Sequence, residues 1–429
     1  MPVVLLGDVL QEHRDRIGCK EGGAKRILGV SNETGLHESN RSTAKNRERY
    51  LCVEESYFAY NPMRINVGSI GLSESPSQTG VISPDYVVFS AEESIYPPFL
   101  LRWLKSPEGQ KAIRGQTTGS VRERLYFKSL AKIQIDLPDL GTQRRIVETL
   151  ENVQSYRTTS TCLSDSVTTL RQTILDLAVR GKLVPQDPED EPASELLNRI
   201  AEESDRLVQE KVIKKPKELP DLPEQLPWAC PPSWSWTHLG KLTVFINGDR
   251  SKNYPNKSEY VAKGVPWINT GHIDPDGSLS AARMYFISQE KFDSLRGGKI
   301  QQGDLVYCLR GATFGKTAIV DPFQEGGIAS SLMIIRPFSH IFNRYVYRYL
   351  TSPFGRSQIF RFDNGSAQPN LSANSVRMYH FCLPPLAEQK RIVEKVDSLM
   401  ALCDQLESRL SDSSELAEKL ASSVVSVTS

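Results

Sequence analysis

The string Gly311-Ala-Thr-Phe-Gly315-Lys316-Thr317 has the makings of a phosphate cradle, with amides in a tight loop followed by a lysine and a hydroxyl. A phosphate loop needs glycine, four residues, then glycine, lysine and serine or threonine, opening a helix whose N-terminus faces the phosphates. Arg310 stands where the first glycine belongs, and Ala318-Ile-Val-Asp-Pro reads as a strand. The expectation is therefore a glycine-rich turn between two strands. A turn that offers Arg310, Thr313 and Lys316 suits contact with DNA.

Tyr96-Pro97-Pro98-Phe99 has two prolines where amino-methyltransferases carry Asn/Asp-Pro-Pro-Tyr/Phe, but tyrosine cannot present the side-chain acceptor that chemistry needs. The prolines more plainly start a helix. His13, His37, His238, His272, His340 and His380 are not spaced as metal ligands, and the acidic stretch Asp187–Glu191 reads as a solvated loop. No catalytic residue and no metal site is assigned. Basic residues interleaved with polar ones occur at Arg41, Lys45, Arg47 and Arg49, at Arg122 and Arg124, at Arg250 and Lys252, and at Arg361, Gln368 and Asn370. Arginine, lysine, asparagine and glutamine can bond guanine or adenine edges, so these join Arg310, Thr313 and Lys316 as candidate DNA contacts.

The elements that must position these residues are organised by an internal repeat. Residue n set against n + 246 aligns Leu104–Glu151 with Leu350–Asp397 without a gap, and 17 of those 48 positions are identical. Upstream, Leu6-Gly7 answers to Leu239-Gly240, so the second copy carries 13 extra residues. Each copy reads as a mixed unit of short strands, with a helix before each Ser-Pro, followed by a long helix. The second long helix has apolar or small residues alternating in steps of four and three, including Ile392, Val396, Leu399, Leu406 and Leu410. That is a coiled-coil seam. The first starts alike with Ile146, Leu150 and Val153, then shifts register to Leu163, Val167, Leu170, Ile174 and Leu177. The two long helices are expected to pair within the chain, antiparallel.

The expected fold is α+β: two similar α/β domains joined by an intramolecular antiparallel coiled coil, a pseudo-twofold internal repeat. Its parts are 1–138 (first domain), 139–180 (central helical spacer), 181–232 (proline-rich connector with one charged helix, about 193–214), 233–384 (second domain) and 385–429 (C-terminal helical spacer). Net charge is only +1 over 429 residues, but it is unevenly spread. Residues 1–138 carry +2 and 231–384 carry +7, against −5 for 139–230 and −3 for 385–429. Globular parts that meet phosphate, joined by a spacer that does not, would show this division. No apolar run is long enough to cross a bilayer, Met1-Pro-Val-Val-Leu-Leu-Gly-Asp shows no basic stretch followed by a cleavable apolar one, and the seven cysteines are scattered. A cytoplasmic address with reduced, mostly buried thiols is expected.

In this order the motifs are specific, and the chain resembles the specificity subunit of a type I restriction-modification enzyme. The resemblance rests on Leu-Pro-x-Leu-x-x-Gln-x-Arg-Ile-Val at 137–147 and again at 383–393, and on Leu175-Asp-Leu-Ala-Val-Arg-Gly-Lys-Leu-Val-Pro-Gln-Asp-Pro running on to Glu195. Tyr60-Asn-Pro-Met-Arg64 to Gly71, Arg310-Gly to Gly315-Lys316, and Gly365-Ser-Ala-Gln-Pro-Asn-Leu371 complete it, and bring Arg64 among the candidate contacts. Gly119-Ser-Val-Arg-Glu-Arg-Leu125 departs from the Gly-Ser-x-Gln-x-x-Leu form of its counterpart. The resemblance implies two target-recognition domains, each reading one half of a split double-stranded DNA site, with the helical pair acting as a ruler that docks two methyltransferase subunits. It implies no cofactor in this chain. S-adenosylmethionine, ATP and Mg belong to the partner subunits, which methylate adenine and, as restriction motors, cleave DNA. Two other classes compete: an enzyme acting alone, which would bind ATP or S-adenosylmethionine saturably, and a coiled-coil adaptor for proteins, whose DNA affinity would not depend on Arg310 or Gln368.

Overall fold

The computed structural model describes residues 2–16, 26–39, 48–116, 124–311, 313–362 and 371–426. It divides into two compact units, Met1–Cys162 with Leu410–Ser429, and Leu163–Arg409. Both are α+β. Among the described residues no helix is long and apolar enough to cross a membrane.

The first unit is built on an antiparallel sheet in the order Leu10–His13, Val87–Ala91, Phe58–Tyr60, Ile70–Leu72. Aromatic and β-branched residues favour this pleated, half-covered surface. Phe58 and Phe89, opposite each other in the register, stack at 4.7 Å. Two short helices, Pro97–Lys105 and Pro107–Gln116, bury Phe99, Leu100, Leu104 and Ile113 in the same core. Ser106 joins them: its hydroxyl donates to the Trp103 carbonyl at 2.7 Å and accepts the Gly109 amide at 3.1 Å. A Cβ at Gly109 would lie 2.1 Å from the Trp103 oxygen, so only glycine fits there.

The second unit repeats this plan. Its sheet runs Thr243–Asn247, Leu332–Pro337, Leu305–Cys308, Thr317–Ile319, also antiparallel. Helices Asn343–Thr351 and Pro353–Phe360 and the start of the long helix at Leu386 follow their first-unit counterparts by 246 residues, as the alignment requires. Ser352 repeats the Ser106 bonds at 2.7 and 3.0 Å. A five-stranded sheet containing Val265–Ile268 and Glu325–Ile328 enlarges this unit.

The long helices span Leu140–Val179 and Leu386–Ser426 and pack together. Within the first unit Arg157 pairs with Glu418 at 3.0 Å; within the second, Arg171 reaches Asp404 at 2.6 Å and Glu407 at 2.9 Å. As the number rises on one helix it falls on the other, which makes the pair antiparallel. The seam itself needs correction. Ile146, Ile392 and Val396 are buried and Leu150, Leu177, Leu399 and Leu410 half-buried, but Leu163, Leu170 and Leu406 are 47, 44 and 45% exposed. Val167 and Ile174 of the expected seam are buried, and with Leu175, Ala178 and Val179 they face a globular core that includes Trp234 and Tyr345. A helix that packs on a core as well as on another helix buries a wider stripe than a strict heptad seam.

The connector packs as part of the second unit. Its helix, Ala193–Gln209, buries Ala193, Leu196 and Ile200. It stops short of the expected Lys214 because Lys211 turns into the left-handed region at φ +59°. The acidic stretch is not simply solvated either, since the Asp190 side chain is 7% exposed and pairs with Arg391. Of the described cysteines, Cys308, Cys382 and Cys403 are buried, Cys52 and Cys230 half-buried and Cys162 exposed, and none of them is in a disulfide.

Candidate nucleic-acid interface

Both sheets place their loop-bearing ends in the same way. In the second unit the strand ends Asn247, Cys308, Thr317 and Leu332 lie at one end of the sheet. The loops leaving them carry Arg250, Lys252, Arg310, Thr313 and Lys316, so candidate residues 66 positions apart in the chain converge. Backbone bonds tie this end together: Leu309 donates to Ser331 at 2.9 Å, and Leu371 donates to Leu309 at 3.3 Å. Asp249, inside the loop, accepts the Ser251 amide at 2.6 Å and the Arg296 amide at 2.6 Å, and these bonds hold its carboxyl below the usual range despite burial.

The string 311–317 forms a hairpin turn and no phosphate loop. Gly311 and Gly315 take φ of +88° and +77°, a region glycine enters without cost. Gly315 donates to Cys308 at 2.8 Å, and the chain continues into the strand Thr317–Ile319 with no helix N-terminus. Arg310 and Thr313 are exposed on it. Lys316 is not free for a ligand in this arrangement, because its ammonium donates to the Ile273 carbonyl at 2.8 Å. Arg361 stands at the end of the helix Pro353–Phe360, donating to Gln358 at 2.7 Å and lying over the Phe362 ring at 5.4 Å. Below it His238 and His380 meet edge to face at 5.5 Å. Burial, then the Arg361 charge, pushes His380 down to about 4, and burial, then Lys241 and Arg361, lowers His238, so both rings are neutral at pH 7.

In the first unit the matching end is marked by His13, Val87, Tyr60 and Ile70. A cleft of about 380 Å³ opens there, lined by His13, Arg14, Arg16, Met63, Tyr86, Arg124 and Tyr126 among others. Arg124 donates to the Tyr126 hydroxyl at 3.1 Å, and Tyr126 is 54% exposed. Arg64 and Arg49 are exposed beside this cleft: Arg64 follows Met63, and Arg49 lies two residues before Leu51, which bridges Arg16. His13 is held by Ser90 at 2.8 Å and stacks on Tyr57 at 4.2 Å. Leu125 donates to Pro62 at 3.0 Å, the counterpart of the Leu371 bond in the second unit.

The sequence patterns singled out Arg124, Arg64 and Arg49 but passed over His13, Arg14, Arg16, Tyr86 and Tyr126. His13, Arg14 and Arg16 stand together in one short stretch, but it meets Tyr86 and the Arg124–Tyr126 segment only through strand pairing and packing. Arg41, Lys45, Arg47, Arg122, Gln368 and Asn370 lie outside the described residues. Among the described residues no group of three or more His, Cys, Asp or Glu could hold a metal ion. Tyr96, of the methyltransferase-like string, is tied to the long helix: its amide donates to Gln143 at 2.7 Å and its ring lies under Arg144 at 4.8 Å.

The profile of the type I restriction modification DNA specificity domain matches residues 57–162 and 240–415, two stretches that together make up more than half the chain. The chain belongs to that family. Each match runs from a unit's sheet into its long helix, so the specificity domain occurs once per copy of the repeat. Among similar proteins, the EcoAI specificity subunit of Escherichia coli is 37% identical over 249 residues, 56% of this chain and 40% of its own. The EcoEI specificity subunit of the same organism is 35% identical over 245 residues, again 40% of its own length. These aligned stretches thus span less than half of either relative. The EcoKI specificity subunit of Escherichia coli K12 aligns over 81% of this chain and 66% of its own at 22% identity. Among solved structures, the HsdS subunit from Thermoanaerobacter tengcongensis superposes with a TM-score of 0.53 at 18% identity, covering 100% of this chain and 96% of its own. A chain from a structural study of assembly and conformational transition of the type I R-M system gives 0.57 at 17%, covering 100% and 97%. Both share the specificity-subunit fold.

Proposed function

We propose that this chain is the DNA-reading, non-catalytic specificity subunit of a type I restriction-modification complex. Its domains, 1–138 and 233–384, each read one half of a bipartite duplex target. The helical segments 139–180 and 385–429 set the gap and dock two methyltransferase subunits, which join restriction subunits in the cytoplasm. S-adenosylmethionine, ATP and Mg act in those partners.

The observation that carries this reading is the matched placement of cationic and aromatic side chains at equivalent sheet ends, on one backbone plan but with different residues. Arg14, Arg16 and Arg124 stand in one unit and Arg250, Lys252 and Arg310 in the other. A common frame with divergent tips is what two readers of different half-sites require, since phosphate contacts position and base-edge contacts specify.

The test is methylation mapping of genomic DNA from cells that express the chain with its methyltransferase partner, against cells with the partner alone. A bipartite adenine-methylated motif that appears only with the chain is expected. Arg310→Ala should then weaken binding to the whole target by roughly tenfold, the cost of one good base or phosphate contact. A protein adaptor would yield no motif and no such dependence.

A further inference from the structure

Gln143 and Gln389 occupy corresponding places in the first turn of the two long helices, and neither side chain has any solvent exposure. The Gln143 carbonyl accepts the Tyr96 amide at 2.7 Å, while its amide donates to Ser94 at 3.0 Å and Pro138 at 2.8 Å. Gln389 repeats the pattern, accepting from Phe342 at 2.9 Å and donating to Pro384 at 3.0 Å. Each glutamine thus pins its helix to two other segments: the loop that enters the Pro97 or Asn343 helix, and the Leu-Pro that follows a short strand. Only a side chain that is donor and acceptor at once can do this.

These joints lie away from the reading loops. Ser94 and Tyr96 follow the strand Val87–Ala91 beyond Ala91, whereas the candidate interface is at its Val87 end. Phe342 likewise follows Pro337, at the far end of Leu332–Pro337 from Leu332. A change at the joint therefore leaves the loops in place and alters only the angle between helix and sheet. That angle has leverage. A helix of 40 residues is about 60 Å long at 1.5 Å per residue. A tilt of ~3° moves its far end by about 3 Å, close to the ~3.4 Å rise of one base pair.

We propose that Gln143 and Gln389 are positioning residues that fix the angle at which each domain is mounted on its long helix and so hold the target gap to one length. The inference rests on the DNA-recognition reading above. It separates half-site letters, set by the loops, from the gap, whose length the helical segments set and whose uniqueness the joints hold.

The experiment is methylation mapping with the methyltransferase partner, comparing the wild-type chain with Gln143→Met and Gln389→Met, which keep side-chain length but remove donor and acceptor. Each variant is expected to methylate the same two half-sequences, now at gaps one base pair shorter or longer as well, at a tenth or more of the wild-type frequency. Gln143→Glu, which keeps the acceptor for Tyr96 and loses the donor, should fall between. A role in stability alone predicts a lower melting temperature and less methylation at one unchanged gap, and that result overturns the proposal. If Gln143→Met does not accumulate as folded protein, a single unchanged gap in Gln143→Glu overturns it equally. A wild-type map with no bipartite motif overturns the recognition reading, and this inference with it.

Discussion

The two joints share a glutamine and differ in nearly everything around it. At the first, Thr142 bonds to Asp139, at 3.0 Å through its amide and 2.8 Å through its hydroxyl, and its hydroxyl accepts from Arg145 at 3.1 Å, all within the helix's first two turns and the residue before it. At the second, the corresponding positions hold Glu388 and Arg391, and both engage the connector. Glu388, 1% exposed, accepts the Trp234 indole at 2.8 Å and the Gln186 amide at 2.6 Å. Arg391 grips Asp190 with two bonds, at 3.1 and 2.5 Å. The connector leads directly into the second unit's opening strand, so it can fold back on that joint. Duplication thus preserved the frame, while chain order supplied the second copy with a brace that has no counterpart among the described residues of the first.

The largest effect that would break this comparison comes from Arg391→Ala. It strands Asp190, whose side chain is 7% exposed, next to Glu388. Stranding a buried partner costs several kcal/mol, discounted here to ~2 kcal/mol because Arg391 is itself partly exposed. Amide exchange over residues 386–396 should accelerate roughly thirtyfold toward the rate over 140–150, as local opening would have it. Unchanged exchange would mean that the brace contributes nothing.

A smaller, pH-dependent effect is expected from Glu388→Gln. Burial raises the Glu388 carboxyl above its ordinary 4.5, even though Trp234, Gln186 and Arg391 pull the other way. A carboxyl raised in the folded state favours folding below the unfolded value, and that advantage is lost as pH rises through the folded value. The variant should therefore melt higher than wild type at pH 8, with the difference vanishing below about pH 4.5. A difference constant across that range would show that the Glu388 carboxyl titrates alike in the folded and unfolded chain.

The smallest effect sharpens the contrast from the other side. Arg102 and Glu151 pair at 2.9 Å across the first joint, but are 38 and 59% exposed. Arg102→Ala should cost less than about 0.5 kcal/mol, as exposed pairs do. Arg348→Ala should cost more, because that side chain is 22% exposed against Asp397. Equal losses in thermal melts would erase the distinction.

Much of this architecture is legible in residue order. The offset of 246 places Ser106 on Ser352, Gln143 on Gln389 and Arg102 on Arg348, and the structure gives each pair the same partners. The long helices and the hairpin at Gly311 are readable for the same reason: periodicity and turn chemistry act over a few residues. The seam was less legible. Leu163, Val167, Leu170 and Ile174 all satisfy the count, but a second packing surface buries Val167 and Ile174 and leaves the two leucines nearly half exposed.

By itself, then, the sequence determined the repeat, the element types and the identity of the residues at each joint, because these depend on local spacing and on comparing one copy with the other. Only the tertiary structure decided that Gln143 and Gln389 are sealed from water, that the connector braces one joint, and that Arg14, Arg16, Tyr86 and Arg124 share a cleft. Those outcomes require segments tens of residues apart to meet through strand pairing and core packing, and no local period specifies such meetings.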